Sequence, residues 1–175
     1  RPHQIWILKH RSLGRCFTHH LLFLRALKLK RTMKIQHREE ARMLKKVSLV
    51  FGVVFTLIGL LGFVPGVTSA DADGNQLLLG LFMVDPVHNV IHLLSGVAGL
   101  VAAASDRYAK LYLVGFGLVY ALVTLVGFFD ATVFGLLHVN TADNWLHLVL
   151  ALGMLGAGLG LQSGDEMGGP AKVVM

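Results

Sequence analysis

Four stretches of this chain, near 47–67, 87–105, 111–129 and 145–161, contain no Asp, Glu, Lys or Arg. Each is long enough, or nearly so, to cross a hydrocarbon core about 30 Å thick, which takes about 20 residues of helix. With 54% hydrophobic residues, 15% charged and a mean hydropathy of +0.64, the composition excludes an ordinary soluble domain. The expected fold class is all-α, an integral membrane four-helix bundle, and 175 residues leave room for one such bundle and little else.

Charge orients the spans. Of the 16 Lys and Arg, 13 precede Val47, two (Arg107 and Lys110) lie in the short second connection, and one (Lys172) is in the tail. The connections 68–86 and 130–144 have none and carry Asp71, Asp73, Asp85, Asp130 and Asp143. By the positive-inside rule both termini are expected in the cytoplasm and the acidic connections outside, in a multi-pass protein of the cytoplasmic membrane. The formal charge of +6 is thus a topology signal, +11 before residue 47 and −5 after it. The bilayer is the expected partner. A nucleic acid is not, because the basic stretch shows no pattern of stacking or base-reading groups. The single Cys16 excludes a disulfide framework and any CxxC redox or Cys-based zinc site.

Three parts follow: a basic cytoplasmic segment over 1–46, a transmembrane domain over 47–161 and a flexible polar tail over 162–175. Residues 1–38 contain no acid, and the leucines and bases of 21–31 have poor helical periodicity. Residues 1–32 are expected to be an extension upstream of a start at Met33 or Met43, ahead of a basic interfacial arm.

The polar residues inside the apolar runs are written twice. Asn89, His92 and Leu93 recur at the same spacing as Asn144, His147 and Leu148, and the first and third runs align without a gap from Gly52 and Gly117 through Gly62 and Gly127. The chain therefore reads as two tandem helix pairs, parallel repeats about an axis along the membrane normal. In that alignment His88 falls on Asp143, so an imidazole and a carboxylate are expected to pair across the axis. Asn89, His92, Gly96 and Gly99 share one face of the second span, as Asn144, His147 and Ala151 share one face of the fourth. Polar groups followed by small ones mark helix contacts. Gly52, Gly62, Gly117 and Gly127 are the packing glycines of the other two spans, and Gly156-x-x-x-Gly160 offers a contact within the bundle or between copies in a homo-oligomer. Asp85 is expected to cap the second helix, with Pro86 at its first position, and Thr141 or Asp143 to cap the fourth. The apolar stretch 77–84 is too short to span and is expected to lie at the interface or to cap the outer end of the bundle.

The pattern Asp85-Pro86-x-His88-Asn89-x-x-His92-Leu93-x-x-Gly96-x-x-Gly99-Leu100, then Tyr112 and Tyr120, then Asn140-x-x-Asp143-Asn144-x-Leu146-His147-Leu148, resembles the bacterial membrane proteins grouped as domain-of-unknown-function family 4383. The resemblance covers 47–161 and implies a four-helix integral membrane protein without an assigned reaction.

Asp85, His88, Asn89, His92, Asp143, Asn144 and His147 thus form one expected polar layer, about 10 Å inside the outer end, since His92 stands seven residues beyond Asp85. Its leading reading is a structural lock without a cofactor, each amide and imidazole satisfying a partner across the helix interface. The second is a haem or divalent-metal site with His92 and His147 as ligands and the two asparagines behind them. The third is a small proton- or ion-linked transporter relaying through His88, His92, Asp143 and His147. No GxSxG, HExxH, Walker A or GxGxxG motif stands in the required setting, so the sequence leans away from an enzyme.

Overall fold

The computed structural model describes residues 2–164, with side chains from residue 22 onward. The chain divides into two units between Glu39 and Glu40. Four helices hold most of it: α1 (Pro2–Leu61), α2 (Pro86–Ala102), α3 (Asp106–Gly127) and α4 (Thr141–Gly160). Among the described residues α1, α3 and α4 are long and apolar enough to cross a membrane, and α2, at 17 residues, is shorter. The tail expected to be flexible lies, beyond residue 164, outside the described residues.

Helix ends follow local chemistry. The first apolar run stays helical only to Leu61, short of the expected 67, because Pro65 removes a main-chain donor and Gly66 takes a left-handed φ of 91°. The second ends at Ala102 rather than 105, and Ser105 opens α3 at once. Asp85 caps α2, accepting the His88 N–H at 2.8 Å, with Pro86 in its first turn. The cap of α4 is Asn140, one residue before the expected Thr141. Its side chain accepts the Asp143 N–H while the Asp143 carboxylate accepts the Asn140 N–H, a reciprocal capping box.

The α1–α2 and α3–α4 connections are not the irregular loops of an all-α chain. The first forms an antiparallel sheet of β1 (Thr68–Ala70), β2 (Gln76–Leu78) and β3 (Phe82–Val84), and the second a hairpin of β4 (Thr132–Val133) and β5 (Leu137–His138). In both, short apolar strands flank a Gly that supplies the left-handed turn. At each tip two consecutive residues are left-handed, Leu79 (φ 55°) with Gly80 (φ 70°) and Phe134 (φ 54°) with Gly135 (φ 68°). The registers match: Leu78 faces Phe82 as Val133 faces Leu137, and Leu77 faces Met83 as Thr132 faces His138. One sequence offset relates Gly80 to Gly135, Asn89 to Asn144 and His92 to His147.

Small residues let the helices of the second unit approach backbone to backbone. A Cβ on Gly52 would meet the main chain of Gly99 and Leu100, one on Gly96 would meet Thr56, and one on Gly99 would meet the Tyr112 ring. Ser48 closes this crossing by donating to the Gly99 carbonyl at 2.8 Å. Between α3 and α4, Gly117 receives Leu155 and Gly158 receives Val114. Leu44, Phe55, Tyr112, Leu113, Tyr120, Ala151 and Met154 fill the core. The outward faces carry exposed Leu94, Val97, Val101, Leu122, Leu125, Val149 and Leu152.

Candidate functional site

Three imidazoles meet at the hairpin end of the core. His88 and His92 are one turn apart on α2, so their rings stack with centroids 4.8 Å apart and planes at 19°. His147, from the second turn of α4, faces both, with centroids 5.8 Å from His88 and 6.1 Å from His92. All three are buried. One nitrogen from each ring can be chosen so that all lie within 4.8 Å of one another, the one such grouping of His, Cys, Asp or Glu among the described residues. Ligand nitrogens of a tetrahedral zinc stand about 3.3 Å apart, from a Zn–N length of about 2.05 Å. Small ring rotations would close that difference.

The surroundings of the rings are aromatic. Phe55 stacks on Tyr120 at 5.0 Å with planes 8° apart, and lies 5.6 Å from His92. The Tyr120 ring meets His147 edge-on at 5.3 Å, and its hydroxyl lies 3.4 Å from His92 Nδ1. The Nδ1 atoms of His88 and His147 have no hydrogen-bond partner among the described residues, although both are buried. The main-chain carbonyls of His138 and Met83 act on the His88 ring from the hairpin side. A cavity of about 280 Å³ adjoins the cluster, lined by all three histidines, Ser95 and Tyr120, by Phe116 of α3 and by Phe134 of the hairpin.

The two asparagines do different work. Asn144 donates through Nδ2 to the Gly127 carbonyl at 2.7 Å, where α3 ends. A Cβ on Gly127 would collide with the Asn144 side chain, and a Cβ on Gly62 with that of Asn89. Each amide is seated over the bare backbone that ends the preceding helix. The Oδ1 atoms of both lack partners among the described residues.

Asp143 does not pair with His88 as the sequence alignment led us to expect. Its carboxylate accepts the N–H of Asn140 at 2.9 Å and of Met83, on β3, at 3.0 Å. Asp85 makes the converse contact, accepting the N–H of His138, on β5, at 3.4 Å and lying 3.2 Å from its ring. Met83 and His138 are equivalent under the common offset, so each helix start grips the hairpin of the other pair. Asn140 adds a bond from Nδ2 to the Leu81 carbonyl. Burial opposes the charge on Asp85, but hydrogen bonds from the His88 main chain and from the His138 side chain and main chain outweigh it and hold the carboxyl below its ordinary range.

Of the residues singled out by sequence, His88, His92 and His147 come together, Asn89 and Asn144 brace the helix ends, and Asp85 and Asp143 lie one layer out, on main-chain donors. Gly156 and Gly160 face open space. His88, expected in the polar layer and in a relay, joins the imidazole cluster, while Phe55 and Ser95 beside it are not singled out by the sequence. Phe55 was within reach, because in the alignment of the first and third runs it falls on Tyr120.

Residues 45–160 match the family described as Domain of unknown function (DUF4383). No curated protein and no solved structure gives a match.

Proposed function

This chain belongs to the DUF4383 family, whose description assigns no reaction, and we propose that it is a four-span membrane bundle of two tandem helix pairs whose three buried imidazoles bind a divalent transition metal. The carrying observation is the convergence of His88, His92 and His147 with ligand atoms within 4.8 Å, two of them with unpartnered buried Nδ1 atoms. A lock satisfies its own polar groups, because a buried atom left without a partner costs about 1–3 kcal/mol. Here only the Asn144 amide makes such a bond, from Nδ2 to the Gly127 carbonyl, and the imidazoles of His88 and His147 leave converging nitrogens unused. A metal ion takes up their lone pairs.

Three neutral imidazoles suit zinc, and also copper, iron or nickel. Three histidine ligands leave the fourth tetrahedral position open, on this reading toward the cavity. The carbonyls of His138 and Met83 would orient His88 as outer partners usually orient a ligating imidazole. A porphyrin has no room, since about 280 Å³ is below the usual range even for drug-sized ligands. Apolar outward faces on every helix support insertion, and the charge asymmetry supports both termini in the cytoplasm, the hairpins outside and a cytoplasmic-membrane location.

The test is elemental analysis of the full chain purified in mild detergent, before and after chelation and zinc titration. One metal per chain, lost in His92→Ala and His147→Ala variants that still melt cooperatively, is the expected result. A parent that stays metal-free under saturating zinc refutes the reading. Phosphatase fusions check topology: activity after Asp73 and none after Lys172 is expected.

A further inference from the structure

We propose that the Tyr120 hydroxyl is the fourth donor of the cluster, binding as a phenolate the metal held by His88, His92 and His147. The proposal rests on the metal reading and deepens it, because the position that three histidines leave is then filled from the cavity wall and the site becomes a set of three nitrogens and one oxygen.

Distance comes first. The Tyr120 hydroxyl lies 3.4 Å from His92 Nδ1. Hydrogen bonds made by a hydroxyl centre near about 2.8 Å, so this contact is long for one. It matches instead the separation of about 3.3 Å between two ligand atoms on one tetrahedral zinc. The same ring meets His147 edge-on, with centroids 5.3 Å apart, and lines the cavity together with all three histidines.

The ring nitrogens fit one pattern. His88 and His147 keep Nδ1 atoms without partners among the described residues, and Nδ1 is the atom of His92 that faces Tyr120. Because His88 Nδ1 has no partner, the carbonyls of His138 and Met83 fall to its Nε2. All three rings then offer Nδ1, and the stack of His88 on His92, with planes 19° apart, turns two of them alike.

The phenol is held where this requires. Its ring stacks on Phe55 at 5.0 Å with planes 8° apart. Ser95, buried and three residues beyond His92 on α2, hydrogen-bonds its oxygen, as oxygen ligands are commonly bonded in turn. Phe55 falls on Tyr120 in the alignment of the first and third runs, so the first pair brings a ring without a hydroxyl and the set closes at four donors. On binding, the O–H bond of Tyr120 breaks, the metal–oxygen bond forms and the proton leaves to solvent, as a metal deprotonates a coordinated thiol. Imidazoles with one phenolate suit zinc, copper(II) or iron, and tyrosine is among the ligands that proteins give iron.

The test titrates the chelator-treated full chain in mild detergent with zinc and, separately, with copper(II), recording absorption. A tyrosinate difference band that saturates at one zinc per chain, and a visible phenolate-to-copper charge-transfer band, are expected. Tyr120→Phe keeps the ring on Phe55 and should lose both bands while weakening zinc by about tenfold or more. Tyr112→Phe removes the other buried tyrosine hydroxyl, which has no partner among the described residues, and should change neither bands nor affinity. The parent bands need no variant to be read. Zinc bound without a tyrosinate band, or a band that survives in Tyr120→Phe, overturns this proposal and leaves the metal reading standing. Lost affinity in Tyr120→Phe with no band in the parent would make Tyr120 only a hydrogen-bond partner of His92, which also overturns it. A parent that stays metal-free defeats the metal reading and this one with it.

Discussion

The first helix pair (α1 and α2) and the second (α3 and α4) carry like residues at several corresponding places and use them differently. His92 answers His147, Asn89 answers Asn144, and Phe55 answers Tyr120, the last two in face-to-face contact. Around the imidazole cluster the pairs part at one telling position. Where the first has His88, stacked on His92 and turned into the cluster, the second has Asp143, bound to main-chain N–H groups of the facing hairpin and its own cap. An imidazole keeps a free lone pair for a guest, whereas a carboxylate satisfied by two amides is a brace. The two pairs thereby give three clustered imidazoles and one strut.

The largest test of that contrast is metal affinity. Removing His88, His92 or His147 as alanine should weaken zinc binding by more than about 100-fold, beyond the 10- to 100-fold typical of losing an outer partner. Asn144→Ala and Asp143→Asn should stay within that lower range. Competition against a chromogenic chelator measures all five. If His88→Ala matched Asp143→Asn, the halves would not differ as argued.

Next in size is the asparagine seat, where the halves should behave alike. Gly62→Ala and Gly127→Ala each drive a methyl into an amide, and overpacking of this kind costs about 1–3 kcal/mol, partly offset by the better helix propensity of Ala. Gly115→Ala has open space and should not destabilise at all. Unfolding in mild detergent reads the three. Equal losses at 62 and 127 support equivalence. A loss confined to Gly127, whose asparagine makes the bond to its carbonyl, would show that the hydrogen bond and not the fit holds the layer.

Much of this was legible in the residues. Charge-free runs located the apolar helices, and Asp85-Pro86 located a helix start to the residue, because a capping side chain and a proline at the first turn act locally. The faces of α2 and α4 followed from helical spacing, and the buried residues of both include every polar group expected there. Three things were not legible. The hairpins hide in apolar stretches whose strands are two or three residues long, too short for alternation to show. Asn140 preceded the expected cap because its bond to Asp143 requires the helix to start at Thr141. The partner of Asp143 was misread since alignment tells which positions correspond, not which touch: His92 meets His147 and Phe55 meets Tyr120, whereas Asp143 reaches Met83 and Asp85 reaches His138.

The smallest effect concerns the hairpin contacts, where only the first half pairs a carboxylate with an imidazole. Asp85 lies 3.2 Å from His138 Nδ1 and receives the His88 N–H, and these bonds hold its carboxyl below the unfolded value of about 3.9. A carboxylate with a depressed folded pKa contributes stability that is fully present above the unfolded value and is lost as pH falls through the folded one. The contribution should therefore be constant from pH 7 to pH 5 and fade below about pH 4. Because the His138 side chain is 57% exposed, solvent screening limits the effect to under about 1 kcal/mol. Asp85→Asn keeps a competent helix cap and removes only the charge. Melting of parent and variant at pH 5 and pH 3 should show a small gap at the higher pH that nearly closes at the lower one. Asn140→Ala, at the equivalent cap with no titrating side chain, should instead give a gap that is the same at both values. A pH-independent gap for Asp85→Asn would mean that the first cap works by hydrogen bonding alone, as the second does.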